Sequence, residues 1–195
     1  PAPWQSTIKP MMTEISLNVL DVSENSTRAG ASLVTILVTA DTSADKLTIV
    51  IADNGCGMTP EQAAHVTDPF FTTRTTRKVG LGIPFFKYAA ESTGGSFHIE
   101  SEPGKGTTVT AVFGLSHIDR MPLGDMNATI HNLIVYHPDT DFLYTYTYND
   151  ASFTLDTREM REILGEIPLN TPEVSAYIME YLKENQQETD GGALI

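Results

Sequence analysis

The stretch Asp53-Asn-Gly-Cys-Gly57-Met58 places a carboxylate and two glycines directly after a β-rich run. That run, Leu47 to Ala52, follows a second β-rich run, Leu33 to Ala40, and the polar residues between them predict a hairpin. A carboxylate at the tip of a strand can accept a hydrogen bond from an exocyclic amine. Glycines beside it let the backbone approach a flat ring closely. An exocyclic amine such as that of adenine would fit such a position, but the stretch alone does not specify a ligand.

The helix predicted upstream of this hairpin carries a polar face. Residues 14–28 have the apolar spacing of a helix, with Thr13 as the predicted cap and Gly30 as its end. Polar side chains recur on one stripe of this helix: Asn18, Asp21, Asn25 and Arg28. Asn25 offers a neutral oxygen to Mg²⁺, which binds nucleotides through few protein ligands and the phosphates.

Downstream of the glycines, a short helix from Pro60 to about Val66 is followed by a loop over residues 67–83, rich in hydroxyls, bases and glycines. Gly80 and Gly82 free backbone N–H groups at the start of the next helix, which suits a phosphate. The bases of this loop can neutralise phosphate charge: Arg74, Arg77 and Lys78.

The order of the remaining elements predicts the fold class. A helix over 84–92 precedes two strands, 96–101 and 107–115. Helix, two strands, helix, loop, helix and two strands indicate an α+β two-layer sandwich.

Residues 116–195 form a small α+β extension in this prediction. It has a helix over 125–136, a hairpin of strands 142–148 and 152–155, a helix capped by Asp156, and a last helix from Thr171-Pro172. Residues 186–195 are predicted to be frayed. Alternate aromatic residues of the first hairpin strand predict a packed sheet face, with a partner surface as the alternative: Phe142, Tyr144, Tyr146 and Tyr148.

Taken together, these motifs resemble the gyrase, heat-shock chaperone, histidine kinase and MutL ATPases, which share the Bergerat ATP-binding fold. Residues 21–31 look like the first motif of the MutL branch, and residues 53–58 like the adenine motif of all branches. Residues 68–74 with 79–82 look like the lid of sensor histidine kinases, and residues 104–108 like the closing motif. The resemblance covers residues 13–115 and implies helices on one face of a mixed sheet. It leaves 1–12 as an N-terminal segment and 116–195 as an extension of unknown role.

The resemblance also implies roles for individual residues. Asn25 would bind Mg²⁺, Asp53 would take the adenine amino group, and Thr107 would help through a water molecule. Residues 70–82 would close over the triphosphate as a lid, and Asp21 would be catalytic. The implied nucleotide-binding residues are Asn25, Asp53, Gly55, Gly57, Met58, Phe70, Thr73, Arg74, Lys78, Gly80, Leu81, Gly82 and Thr107.

Two departures from the family pattern leave the reaction open. The hydrolytic branches carry Glu where this chain has Asp21, and histidine kinases carry a polar, non-acidic residue there, so Asp21 favours hydrolysis while the lid favours a kinase. In the phosphoacceptor segment of a histidine kinase, the histidine is followed by an acidic residue. None of the five histidines in this chain is followed by one. We therefore expect either slow ATP hydrolysis or phosphoryl transfer to a partner protein. The alternatives are an ATP-gated regulatory module without significant turnover and a fragment of a longer kinase. The extension argues against the fragment, because the catalytic domains of histidine kinases usually end near the closing motif.

Charge limits the partners. The chain has 195 residues and a net charge of −13, concentrated after residue 119, so nucleic acid and anionic membranes are repelled. The apolar runs are too short to span a bilayer. A single cysteine, Cys56, weakly favours a reducing compartment. We expect a cytoplasmic protein that binds ATP or ADP with Mg²⁺, acts in signal transduction through a protein partner, and binds no nucleic acid.

Overall fold

The computed structural model describes residues 13–67 and 82–195, which form six helices and six strands. In chain order they are α1 (Ile15–Arg28), β1 (Leu33–Asp41), β2 (Lys46–Asp53), α2 (Pro60–His65), α3 (Gly82–Glu91), β3 (Ser96–Glu102), β4 (Gly106–Gly114), α4 (Met126–Tyr136), β5 (Asp141–Tyr148), β6 (Ala151–Asp156), α5 (Thr157–Leu164) and α6 (Pro172–Asp190).

The strands form one mixed sheet in the order β3-β4-β2-β1-β5-β6. β1 and β5 run parallel, and every other neighbouring pair is antiparallel. The register places Asp53 at the end of β2 directly opposite Thr107 on β4. The predicted α+β architecture is confirmed, and the predicted adenine motif lies at one end of the two central strands.

The helices form a second layer over one face of this sheet. Along β1, Val34, Ile36 and Val38 are fully buried, whereas the alternate residues on the opposite face are only half-buried. α1 packs against α3 and α4, and α4 packs against α6. The alternation is the period of two expected for a sheet that is covered on one side.

The aromatic stripe of β5 belongs to this core. Phe142, Tyr144 and Tyr146 are buried, and Phe153 of β6 contacts both tyrosine rings at centroid distances of 5.8 and 6.0 Å. The prediction of a packed sheet face is confirmed for these three residues, while Tyr148 is only partly buried.

The start of α1 differs from the prediction. Glu14, not Thr13, occupies the cap position, with extended backbone and no side-chain cap. The first free N–H groups of the helix are instead satisfied by another part of the backbone: Ile15 N donates to the Pro122 carbonyl at 3.0 Å and Ser16 N to the Leu123 carbonyl at 2.8 Å. A helix start that is bonded by a distant segment does not need a capping side chain.

The prediction that residues 186–195 are frayed is wrong. α6 continues to Asp190, which is 8% exposed, and the Tyr146 hydroxyl donates to its carboxylate at 2.9 Å. Leu123 N also donates to the Ile195 carbonyl at 2.9 Å. Long-range partners therefore fix a segment whose local sequence is polar and weakly patterned.

Strands β5 and β6 continue the sheet of the preceding residues rather than forming a second sheet. Phe142 N donates to the Thr157 hydroxyl at 2.8 Å, which joins β5 to the start of α5. Asp156 caps α5 by accepting from Arg158 N at 2.9 Å. In the part of the chain that the structure describes, no helix combines the length and the apolar character needed to cross a bilayer.

Candidate nucleotide site

The Asp53 carboxylate is held in a fixed orientation by two donors. The Ser26 hydroxyl donates to Oδ2 at 2.6 Å, and the Gly55 N–H donates to Oδ1 at 2.9 Å. Each oxygen accepts one bond and retains the capacity to accept another. A preoriented, half-buried carboxylate of this kind can receive an exocyclic amine from a ligand.

Ser26 was not predicted as a site residue. It is 4% exposed on α1 and directly follows Asn25, yet its partner lies 27 residues away in the sequence. The available signal was a hydroxyl one turn after the apolar Val22, on the buried face of the helix. Ser26 joins α1 to the tip of β2 and so connects the two halves of the site.

Glycines let the backbone segments around Asp53 approach one another. A Cβ at Gly55 would lie 2.9 Å from the Ala29 carbonyl oxygen. Gly57 has φ +65°, and a Cβ there would collide with the Glu102 carbonyl. Gly106, which lies in the closing motif but is not among the predicted binding residues, has φ +112°, and a Cβ there would collide with the backbone of Asp53. These glycines are required by the packing of the protein itself, in addition to any role in approaching a ring.

The opposite side of Asp53 is formed by hydroxyl groups. Ser101 Oγ accepts from Met58 N at 2.8 Å, donates to the Gly106 carbonyl at 3.0 Å, and lies 2.8 Å from Thr107 Oγ1. Because the Ser101 hydroxyl donates its hydrogen to the Gly106 carbonyl, the Thr107 hydroxyl is the donor in its contact with Ser101. The Thr107 oxygen then keeps its lone pairs for a ligand or a water molecule. Thr107 therefore lies directly beside Asp53 on the neighbouring strand.

Asp21 and Asn25 lie one turn apart on α1, and each touches a defined neighbour. The Asp21 carboxylate lies so close to Gly82, the first residue of α3, that a Cβ there would overlap Asp21 Oδ2. Asn25 Oδ1 accepts a hydrogen bond from Arg28 at 3.1 Å. Asp21 and Asn25 thus lie on the same helix as Ser26, which bonds Asp53, and Asp21 lies against the first residue of α3.

Asn18 differs from the other members of the predicted polar stripe. It is fully buried, and neither amide atom has a hydrogen-bond partner among the described residues. The structure therefore places Asn18 inside the helix layer rather than on the face of the site.

A polar chain connects the extension to α1. His137, the cap residue that follows α4, has its Nε2 2.8 Å from Glu24 Oε1. Glu24 Oε2 lies 4.0 Å from Arg28, which in turn bonds Asn25. Sequence reasoning missed this connection because the hydrogen bond joins residues 113 positions apart.

Six of the predicted binding residues lie outside the described residues: Phe70, Thr73, Arg74, Lys78, Gly80 and Leu81. Arg77 is in the same segment. In residues 13–67 and 82–195, no group of three or more His, Cys, Asp or Glu side chains could hold a metal ion. A site with one neutral oxygen, from Asn25, fits a magnesium ion that is bound mainly by the phosphates of a nucleotide.

Comparison with known proteins identifies the family of this chain. Residues 5–117 match the family described as histidine kinase-, DNA gyrase B- and HSP90-like ATPase. The sensor protein SrrB of Staphylococcus aureus is 33% identical over 102 residues, which are 50% of this chain and 17% of SrrB.

Two solved structures are also similar. The N-terminal domain of a DNA repair protein superimposes with a TM-score of 0.52 at 14% identity, over 74% of this chain and 52% of that one. Full-length ShkA in complex with AMPPNP gives a TM-score of 0.42 at 21% identity, over 50% of this chain and 20% of that one. The family match covers more than half of the sequence, and the chain therefore belongs to the histidine kinase-, DNA gyrase B- and HSP90-like ATPases, with a histidine-kinase-like ATP-binding domain.

Proposed function

We propose that this protein binds Mg-ATP between the tip of β2 and α1 and uses the bound nucleotide for slow hydrolysis or for phosphoryl transfer to a partner protein. The observation that carries the proposal is the Asp53 carboxylate, which Ser26 and Gly55 orient and which faces Thr107 across the ladder. The adenine amino group would donate to this carboxylate, and the Thr107 oxygen would accept from a bridging water.

The phosphates would extend from this pocket toward Asn25 and the start of α3. When bound, Mg²⁺ supplies neutralisation of phosphate charge, with Asn25 as its protein oxygen. The N-terminus of α3, which begins at Gly82, offers backbone N–H groups to an anion. The bases at 74, 77 and 78 would add positive charge, in the segment that the family resemblance identifies as a lid whose closure acts as a switch.

Asp21 would position the attacking water or the incoming acceptor. It lies four residues before Asn25 on the same helix, and its carboxylate contacts Gly82 at the start of α3. A carboxylate there can accept a proton from a hydroxyl or a water molecule that lies in line with the terminal phosphate. Because Asp is one methylene shorter than Glu, the turnover that we expect is slow.

Phosphate release from the purified protein with Mg-ATP tests this role. We expect Asp21→Asn to lower the release rate by roughly 10²-fold, the scale of a lost general base, while the control Asp150→Asn, in an exposed turn, leaves it unchanged. Equal rates for Asp21→Asn and the unmodified protein would remove Asp21 from the mechanism. Radiolabelled γ-phosphate that appears on a co-purifying protein would assign the chain to phosphoryl transfer.

One observation favours an ATP-gated regulatory module as the second candidate. The His137–Glu24 hydrogen bond connects the extension to the helix that carries Asn25. In this candidate function, nucleotide binding at Asn25 would alter residues 116–195 through this contact. ATP binding without phosphate release or transfer, accompanied by altered protease sensitivity of the extension, would support this candidate over an enzyme.

A further inference from the structure

An apolar groove lies between α5 and α6, on the extension. Its volume is about 510 Å³, and most of its wall is formed by large apolar and aromatic side chains. We call it the α5–α6 groove and define it by Leu155, Met160, Ile163, Val174, Tyr177 and Tyr181. This volume is in the range of binding clefts that receive side chains of a ligand or partner.

The groove exposes apolar surface that folding has left uncovered. Ile163 is 85% exposed and Tyr177 is 57% exposed, and both line the groove. Single exposed apolar residues are common, but several around one concave surface are typical of an interaction site. The first residue of α5, Thr157, is the only one of that helix that is fully buried.

Carboxylates give this groove a negative charge. Glu159 and Glu173 line it, and no described Lys, Arg or His forms an ion pair with either. Asp156 also lines it but is paired with Arg158 at 2.6 Å. Residues 156–190 contain nine acidic and three basic side chains, a net charge of −6. The charge disfavours a second copy of this acidic chain, a nucleic acid or an anionic membrane as the occupant.

The edge of the sheet argues for a helical rather than an extended occupant. β6 is an edge strand, so a partner strand could in principle pair with it. The Tyr181 hydroxyl, however, donates to the Thr154 carbonyl at 3.1 Å and occupies one of the acceptors that such a strand would use. Two helices flank the apolar floor, as in the helix-in-groove mode of peptide recognition.

We propose that the α5–α6 groove binds a basic amphipathic helix of a partner protein. The apolar side chains of the partner helix would pack on Ile163 and Tyr177, and the Lys or Arg side chains of that helix would pair with Glu159 and Glu173. The groove is separate from the nucleotide site, so the proposal stands or fails independently of ATP binding.

Peptide selection on the full chain tests the proposal without a known partner. A displayed library of random 18-residue peptides is selected on the unmodified protein and counter-selected on the Ile163→Asp/Tyr177→Asp variant, whose circular dichroism and thermal midpoint establish that it is folded. Both side chains are largely exposed, so the variant keeps its core. We expect enriched peptides that require the groove, carry a net positive charge, and space their apolar residues at helical intervals.

Affinities of the best peptide then separate the apolar and the charge contributions. We expect Ile163→Ser to weaken binding at least about tenfold, as for a central contact, and Glu159→Gln/Glu173→Gln to weaken it roughly threefold to tenfold in a salt-dependent manner. The controls are Ile118→Ser, an exposed apolar residue elsewhere, and Glu188→Gln on α6, and neither should change affinity.

Three results would overturn the proposal: no groove-dependent peptides, groove-dependent peptides that are neutral or acidic, or concentration-dependent dimerisation that Ile163→Ser abolishes.

Discussion

At the scale of single residues, the site depends on one carboxylate and its two donors. The position of Asp53 followed from the sequence, because a β-rich run ends there and glycines come next. Ser26 did not, because a serine in a helix is ordinarily a solvent-facing residue and its partner is distant in sequence. Motif spacing predicts which residues face a ligand, whereas the groups that orient them are set by tertiary contacts.

A pair of buried tyrosines gives a stability prediction at this scale. The Tyr146 hydroxyl donates to Asp190 at 2.9 Å, whereas the Tyr144 hydroxyl has no partner among the described residues. We expect Tyr146→Phe to lower the free energy of unfolding by about 1 kcal/mol or more, because a bond to a buried carboxylate is lost. Tyr144→Phe should leave it unchanged or raise it, because an unsatisfied hydroxyl is removed. Urea unfolding of both variants measures the difference.

The same tyrosines predict the direction of the alkaline pH dependence. Burial raises the pKa of Tyr144 above its ordinary value, and the charge of Asp190 raises it further. In the unfolded chain Tyr144 ionises near pH 10, while in the folded chain it stays neutral. The contribution of neutral Tyr144 to the free energy of unfolding is therefore fully present below about pH 10 and is lost as the pH rises above that value. Tyr144→Phe should flatten this alkaline decline, and an identical slope in both proteins would contradict the assignment.

At the scale of elements, α1 and α3 meet at Gly82. The sequence predicted a helix from Pro84, and the observed helix begins two residues earlier. The Asp21 carboxylate lies against Gly82, so this end of α3 packs directly on α1. The hairpin and the order of elements followed from hydrophobic periodicity, but a contact between two helices does not appear in that pattern.

The contact predicts the effect of Gly82→Ala. A Cβ would overlap the Asp21 carboxylate and displace it, so we expect the rate of phosphate release to fall at least tenfold, since a shift of about 1 Å in a catalytic group can cost 10²-fold. In an Asp21→Ala background the same change should cost far less, because the overlap with the carboxylate is gone and only a close contact with the Cβ of residue 21 remains. Independent, additive losses in the double variant would contradict the coupling between the two positions.

At the scale of the whole molecule, residues 33–41 and 141–148 lie side by side in parallel. The sequence divided the chain into an ATP-binding domain and an extension, since the motifs end near residue 115. It did not predict that the extension would add β5 and β6 to the same sheet, because pairing over about 100 residues leaves no local signal. The prediction that residues 186–195 are frayed was wrong for a related reason, because the partners that fix this segment are distant in the sequence.

One continuous sheet and core predict one cooperative unfolding transition. Differential scanning calorimetry should give a single peak whose calorimetric and van't Hoff enthalpies agree. Phe142→Ala, at a buried position of β5, should lower the stability by about 3–5 kcal/mol and move the whole peak to lower temperature. Two separate peaks, of which Phe142→Ala shifts only one, would show that the extension is an independent unit.

Titration calorimetry of the full chain with ATP and magnesium measures whether Asp53 contributes to nucleotide binding. We expect saturable heat for the unmodified protein and for Asp150→Asn, and a loss of affinity of at least about tenfold for a folded Asp53→Asn variant, because an amide –NH₂ replaces an acceptor of the adenine amine. Equal affinity in Asp53→Asn would contradict the adenine-binding role of Asp53, and the absence of heat from the folded unmodified protein with ATP and magnesium would contradict nucleotide binding itself.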